Sequence, residues 1–401
     1  MCCNHCNAMC CSKGFSILII GAVIVLSFVR VIWILSTTLN YADPIISLPQ
    51  RNTTSQLLET SHVSICGRKV NFIDSNIPHL GYYGTKKIVV IGHDNMHHVQ
   101  TNNHINTILH AMDYALDHDA TLAITRSGWA KDVLKTLFGG THESEDEWER
   151  DIARHLNIQF LNQDSTTTIS TDPSHDSISY MSGNDMYYYH SSSNISIISE
   201  RRIPVLQYLW THVTEGRGND NMCSAISDSL PEQYVVIHSR WMKHDGCLKR
   251  LGSLTQRVKS ETGINIDRRA PCMLDPSYIE SILRSSNHSG TPIFIISDGK
   301  NPNSTNILKN HPILDVREVP GDLDYVGADM VLGVLASVFI GTPISTLSGN
   351  IARARVALGS NPNTNFMFPL KLNENSDDWE FVCRDDRSCL YDTRFLSHYV
   401  G

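Results

Sequence analysis

Three short polar groups each follow a run of apolar, β-branched residues, and their side chains are of the kinds that hold or transfer charged groups. After Gln233 to His238 (QYVVIH) come Ser239 and Arg240, then His244, Asp245 and Gly246. Side chains alternate along a strand, so His238 and Arg240 point the same way. A guanidinium stays charged at any physiological pH and can fork onto a diphosphate, which suits it to neutralising a leaving group. A salt-bridged arginine at a domain edge would carry the same sequence. After Ser337 to Gly341 (SVFIG) come Thr342, Ser345 and Thr346, opening a helix. Hydroxyls and backbone N–H groups at a helix start make a phosphate site, although a plain N-cap uses the same residues. After Pro292 to Ser297 (PIFIIS) comes Asp298. The turn from Pro320 to Asp324 adds Asp322 and Asp324, whose carboxylates can accept from guanine N1–H and its 2-amino group.

The elements that must position these groups alternate between two periods. Lys86 to Gly92 (KKIVVIG) and Ala120 to Thr125 (ATLAIT) read as buried strands. Between them Ile105, Ile108, Leu109, Met112 and Leu116 recur at helical spacing, and Trp129 to Phe138 follows as a helix. Strand, helix, strand in this order is the βαβ unit of a parallel sheet. A second series has strands at 233–238, 292–297, 315–319 and 337–341, with helices at 276–285, 301–310, 325–336 and 345–358. Gln163 to Ser199, rich in Ser, Thr and Asp and containing Tyr187, Tyr188 and Tyr189, reads as an insertion or long surface loop. The class expected is α/β, with two Rossmann-like domains facing each other across a cleft and ligands at the C-terminal strand ends. The expected divisions are a tail (1–14), a membrane anchor (15–35) and a stem and lead-in (36–85). An N-terminal domain carrying the insertion (86–215) and a C-terminal, nucleotide-binding domain with its tail (216–401) follow.

His-x-Arg after one strand, Ser-Asp after the next and Asp…FIGTxxST before a helix together resemble the GDP-fucose-using enzymes, the protein O-fucosyltransferases and α1,6-fucosyltransferases. The resemblance spans residues 86–358 and is firmest over 234–245 and 324–355. It implies a GT-B fold, GDP-β-L-fucose as donor, inversion at the anomeric carbon, and no metal or other cofactor. It further implies that Arg240 is catalytic and holds the β-phosphate, that His238 contacts the nucleotide, and that Ser345 and Thr346 are the hydroxyl pair at the phosphates. Asp324 matches the guanine-reading residue of one branch and Asp329 an Asp of the other. Asn102 and Asn103 match a donor-site loop before the first helix, and Cys247 with Cys272 match a disulfide. Two departures stand out: HSRWMKHD replaces HxRRxD, with Trp241 for the second Arg, and Asn102 replaces a glycine. Asp94, Asp245 and Asp298 are unranked candidates for the general base. A transferase using another nucleotide sugar, or an inactive lectin-like or scaffold protein, would keep the same fold.

Composition bounds these readings. The chain has 401 residues, 41% hydrophobic and 18% charged, enough for one large or two modest domains. A net charge of -8 without any basic block argues against a nucleic-acid surface. The 19 His include no HExxH motif. Gly14 to Val29 is uncharged and mostly apolar, and Val31 to Leu35 extends it past Arg30. That run makes about 30 Å of helix, enough to span a bilayer core. Lys13 precedes it and Ser36 to Gln50 has no Lys or Arg, so the positive-inside rule puts the tail in the cytoplasm and the rest in the lumen. The expectation is a single-pass type II protein of the Golgi membrane, or of the ER; a cleaved signal peptide is the alternative. Cys2, Cys3, Cys6, Cys10 and Cys11 adjoin that membrane face as palmitoylation candidates, a zinc knuckle with His5 being the other reading. The other six (Cys66, Cys223, Cys247, Cys272, Cys383, Cys389) allow up to three disulfides in an oxidising compartment. Sequons at Asn52, Asn194, Asn287 and Asn303 are candidate glycosylation sites. The partners expected are GDP-fucose, a glycan or glycoprotein acceptor, and the membrane.

Overall fold

The computed structural model describes residues 62–71, 87–92, 94, 101–138, 144–162, 178–187, 195–213, 220–240, 246–247, 249, 252, 256, 272, 274–300, 302–321, 326–342, 345–361, 364–366, 369–370 and 380–381. The proposed anchor, the tail cysteines, Asn52, Asn194, Trp241, Asp245 and Asp324 lie outside them. Among the described residues no helix is long and apolar enough to cross a membrane. Asn287 and Asn303 are both exposed.

The first described element is an antiparallel hairpin, β1 (His62–Ile65) and β2 (Arg68–Asn71). It falls within the residues read as lead-in, yet Ile65 is fully buried in the core. The turn residue Cys66 is disulfide-bonded to Cys223, and the Arg68 guanidinium donates to the carbonyls of Leu230, Pro231 and Glu232.

The first sheet then forms from β3 (Ile88–Ile91), α1 (Thr101–Asp117), β4 (Thr121–Thr125), α2 (Trp129–Phe138), α3 (Glu145–Leu156), β5 (Ile158–Leu161) and β6 (Ile178–Tyr180). Its four strands are parallel in the order β5-β4-β3-β6, with Ile88 opposite both Thr121 and Ile178. Strands covered on both faces bury a continuous apolar run, which is why KKIVVIG and ATLAIT were readable. Helix α3 starts where the Ser144 hydroxyl accepts from Glu147 N–H, half of a capping box. The stretch 163–199, read as a loop, supplies β6, the short helix α4 (Gly183–Tyr187) and the start of α5 (Ile195–Val213). Three strand residues and five helical ones show no period of their own, and pairing to β3 decides their structure.

The second half contributes α6 (Asp220–Ser229), β7 (Val235–Ser239), α7 (Pro276–Ser285), β8 (Ile293–Ser297), α8 (Pro302–Lys309), β9 (Val316–Arg317), α9 (Val326–Leu335), β10 (Val338–Ile340), α10 (Thr346–Ala357) and β11 (Asn365–Phe366). The sheet is again parallel, in the order β11-β10-β7-β8-β9. A short antiparallel pair, β12 (Pro369–Leu370) with β13 (Glu380–Phe381), follows. The protein is therefore α/β with two parallel sheets. Strand order reverses between β3 and β6 in the first and between β7 and β10 in the second. Crevices at such reversals, outside the C-terminal strand ends, are where ligands bind in sheets of this kind.

Helix α10 packs against α1 and α5 of the first half as well as α9 of the second. Gly333 of α9 admits it closely: a Cβ there would lie 2.8 Å from two methyl carbons of Ile351. Arg355 of α10 is fully buried, and burial lowers its pKa to about 10, leaving it charged. It donates to the carbonyls of Gly333 and Val334 (3.2 and 3.1 Å), and to those of Ala336 and Ser337 just beyond α9. Asn365 Oδ1 and the Thr364 hydroxyl accept at 2.7 Å each. A cation at a helix C-terminus meets the negative end of the helix dipole. Arg355→Met removes the donor from these four carbonyls, three of them in buried bonds, and we expect it to cost about 3 kcal/mol or more in urea unfolding. A loss below about 1 kcal/mol would mean that those carbonyls find other partners.

Candidate functional site

The end of β7 lies at the second reversal point. His238 shares its face with Val236, and that face packs toward α9 and α10. The ring is 2% exposed; its Nδ1 lies 2.7 Å from the Ser348 hydroxyl of α10. Burial, with Arg240 alongside, pushes its pKa down to about 3 against a smaller opposing effect of Asp298, so the imidazole is neutral. Arg240 leaves the sheet one residue after β7. Its Nε stands 3.8 Å from Asp298 Oδ2, beyond hydrogen-bond reach, at the end of neighbouring β8. That loose contact leaves the guanidinium fork open to another acceptor.

The third strand end closes the group. The Thr342 hydroxyl, two residues beyond β10, donates to the His238 carbonyl and accepts from Arg240 N–H at 3.1 Å. One side chain thus fixes the backbone on both sides of Ser239. Ser345 is the N-cap of α10, but its buried hydroxyl makes no capping bond. Thr346, the first helical residue, is also buried. Asp329 lies in the first turn of α9; a crossover helix runs antiparallel to its strands, so that turn is at the same end of the sheet. Cys247 and Cys272, six or more residues beyond Arg240 in sequence, are joined by a disulfide. His238, Arg240, Asp298, Ser345 and Asp329 are thereby gathered at one sheet edge.

In the first half, Asn102 and Asn103 lie inside α1 and not in a loop before it. The Thr107 hydroxyl donates to the Asn103 carbonyl four residues back, showing that the helix is already running there. Asn103 Oδ1 is buried and without a hydrogen-bond partner among the described residues. One turn on, Asn106 Oδ1 accepts from Arg353 Nη1 of α10 at 2.8 Å, and Asn350 Oδ1 accepts from the same nitrogen at 3.1 Å. The start of α1 is therefore pinned beside α10. Asp94, just after β3, accepts from the Trp129 indole N–H (3.3 Å) and Gly183 N–H (2.8 Å). With both oxygens so engaged it ties β3 to α2 and α4.

Ser348, Asn106 and Arg353 were not singled out as site residues from sequence. Hydroxyls spaced three apart at Thr342, Ser345 and Ser348 were the available signal. A separate cavity of about 540 Å³, lined by Arg68, Glu232, Leu335, Ala336 and Leu358 among others, lies at the opposite edge, where β7 and β10 begin. It holds none of the residues above.

No protein-family model and no curated protein matches the chain. Among solved structures it is similar to POFUT1 in complex with GDP, at 13% identity and a TM-score of 0.42, covering 72% of this chain and 99% of that one. POFUT1 in complex with GDP-fucose gives 13% identity and 0.42 over 71% of this chain and 99% of that one. A mutant of Arabidopsis thaliana FUT1 in complex with GDP gives 10% identity and 0.30 over 69% of each chain.

An unfolded histidine takes up a proton below about pH 6.5, whereas folded His238 resists until about pH 3. The unfolded chain therefore binds more protons in that window, and stability falls as pH falls through it. Between pH 6.5 and about 4.5 the wild type should lose on the order of 2 kcal/mol more than His238→Gln in chemical unfolding. Parallel pH profiles for the two proteins would contradict a buried, neutral ring.

Proposed function

We propose that this chain is a glycosyltransferase that moves fucose from GDP-fucose to a hydroxyl of a glycan or protein, with inversion at the anomeric carbon. In this reading the two sheets are the halves of a GT-B fold, and the lumenal body is held in the Golgi membrane by residues 15–35. The observation that carries it is the meeting of Arg240 and the start of α10 at the reversal point of the second sheet, between β7 and β10. An open guanidinium fork and a helix N-terminus whose Ser345 hydroxyl makes no capping bond are two complementary anion donors.

Transfer requires the bond between sugar C1 and the diphosphate oxygen to break as positive charge grows on the ring and negative charge on GDP. Arg240 would take the β-phosphate, and Ser345 and Thr346 with the N–H groups behind them would take the neighbouring oxygens. His238, neutral and buried, would contribute a hydrogen bond and no charge. Asp324 or Asp329 would accept from guanine. The incoming hydroxyl must lose a proton, and Asp298, 3.8 Å from Arg240, would be the carboxylate to take it. Asn103, through Asn106 and Arg353, would bring the first half to the donor.

If Arg240 stabilises departing GDP, its contribution grows in the transition state. Arg240→Ala should lower the single-turnover rate at least about a hundredfold, roughly 2.7 kcal/mol, while weakening GDP-fucose binding less. Arg240→Lys should recover little, because a point charge does not reproduce the planar fork. A lower melting temperature with near-normal turnover in the folded fraction would instead make Arg240 a structural partner of Asp298.

A further inference from the structure

Ser348 is fully buried, third in α10, and its hydroxyl has one hydrogen-bond partner among the described residues: His238 Nδ1 at 2.7 Å. The bond has two senses. If Nδ1 carried the proton and donated to Ser348, the serine's own O–H would be left buried with nothing among the described residues to accept it, at a cost of about 1–3 kcal/mol. If Ser348 donates, its O–H and Nδ1 satisfy each other, Nδ1 is the acceptor, and the ring proton sits on Nε2, facing the β7 end. From this we infer that Ser348 is a positioning residue that holds His238 as its Nε2–H tautomer, making the imidazole a hydrogen-bond donor to a diphosphate oxygen at the β7 end.

The geometry restricts the alternatives. The ring cannot turn freely, because the His238 carbonyl is held by Thr342 and the residue is 98% covered. A flipped ring would turn Cδ2–H to Ser348 and lose the 2.7 Å contact. Protonating the ring would satisfy a phosphate better but would require a second charge beside Arg240, and burial holds the ring neutral far below physiological pH. A neutral donor is what remains: it can bind an anion at any pH of the secretory pathway, and it cannot act as base while Nε2 carries the proton. The serine thus converts a residue that could titrate or accept into one that only donates. The assignment of the donated bond to a diphosphate rests on the fucosyltransferase reading; the tautomer does not.

Nitrogen-15 NMR of the full chain labelled at histidine tests the tautomer without any ligand, with the His238 signals identified by their loss in His238→Gln. The wild type should show a protonated Nε2 and an unprotonated Nδ1; Ser348→Ala should show a mixture of tautomers, and Ser348→Thr, which keeps the hydroxyl, should restore the first pattern. A protonated Nδ1 in the wild type would overturn the inference and needs no variant to fold. The second arm is calorimetric titration with GDP. Ser348→Ala should weaken binding about tenfold, the loss of one hydrogen bond to a charged group. Added to His238→Gln it should cost nothing more, because Ser348 acts through the ring. Additive losses would overturn its positioning role. A wild-type chain that binds no GDP would sink the fucosyltransferase reading, while the ligand-free spectrum would still decide the tautomer.

Discussion

Every residue of α10 except Val356 is buried, although two of its twelve residues are arginines and three of its first five are Thr, Ser and Asn. A helix in that position must find a partner for each polar group inside the protein, since water is not available to supply one. Arg355 is satisfied by the carbonyls that end α9, Arg353 is held through Nη1 by Asn106 and Asn350, and Ser348 bonds to His238. At the other end, Gln207 of α5 donates to the Ala357 carbonyl at 2.7 Å. These bonds run in different directions, to α9, to α1, to β7 and to α5, so together they fix the position of α10. The consequence for function is that its N-terminus is fixed relative to the end of β7 before any ligand arrives. Preorganised donors of that kind need not be rearranged as charge develops.

The same constraint explains why the strand ends are rigid while Arg240 is not tied down. Thr342 bonds to backbone on both sides of Ser239, and His238 is locked from below by Ser348. Arg240, in contrast, keeps 27% of its side chain exposed and meets Asp298 only at 3.8 Å. A structural ion pair would be expected to close to hydrogen-bond length, as Arg202 does on buried Asp113 between α5 and α1. The contrast within one molecule marks Arg240 as a cation held near, but not consumed by, its carboxylate.

Much of this was legible in the sequence because buried parallel strands are continuous apolar runs that end in abrupt polarity. QYVVIH, PIFIIS and SVFIG announced their strands and also the residues at their C-terminal ends. What could not be read was adjacency. Ser348 becomes important because the strand order places β10 beside β7, and nothing near residue 348 records that. Arg353 pairs with Asn106 across 247 positions, and Cys66 with Cys223 across 157. The strand at 178–180 was missed for a related reason: its structure comes from its neighbour β3, not from its own three residues. Asn102 and Asn103 were placed before α1 because the resemblance implied a loop there, and the i−4 bond to the Asn103 carbonyl shows the helix already running.

The central claim is that the crevice between β7 and β10 binds a guanosine diphosphate by its phosphates. A crystal structure of the protein grown with GDP tests it most directly. The account predicts the β-phosphate within about 3 Å of the Arg240 guanidinium, with other diphosphate oxygens on the N-terminal turn of α10 and His238 Nε2–H. It also predicts the guanine edge toward the carboxylates before or within the first turn of α9. GDP bound at the opposite edge beside Arg68 and Glu232, or crystals that take up UDP as readily in the same crevice, would contradict it.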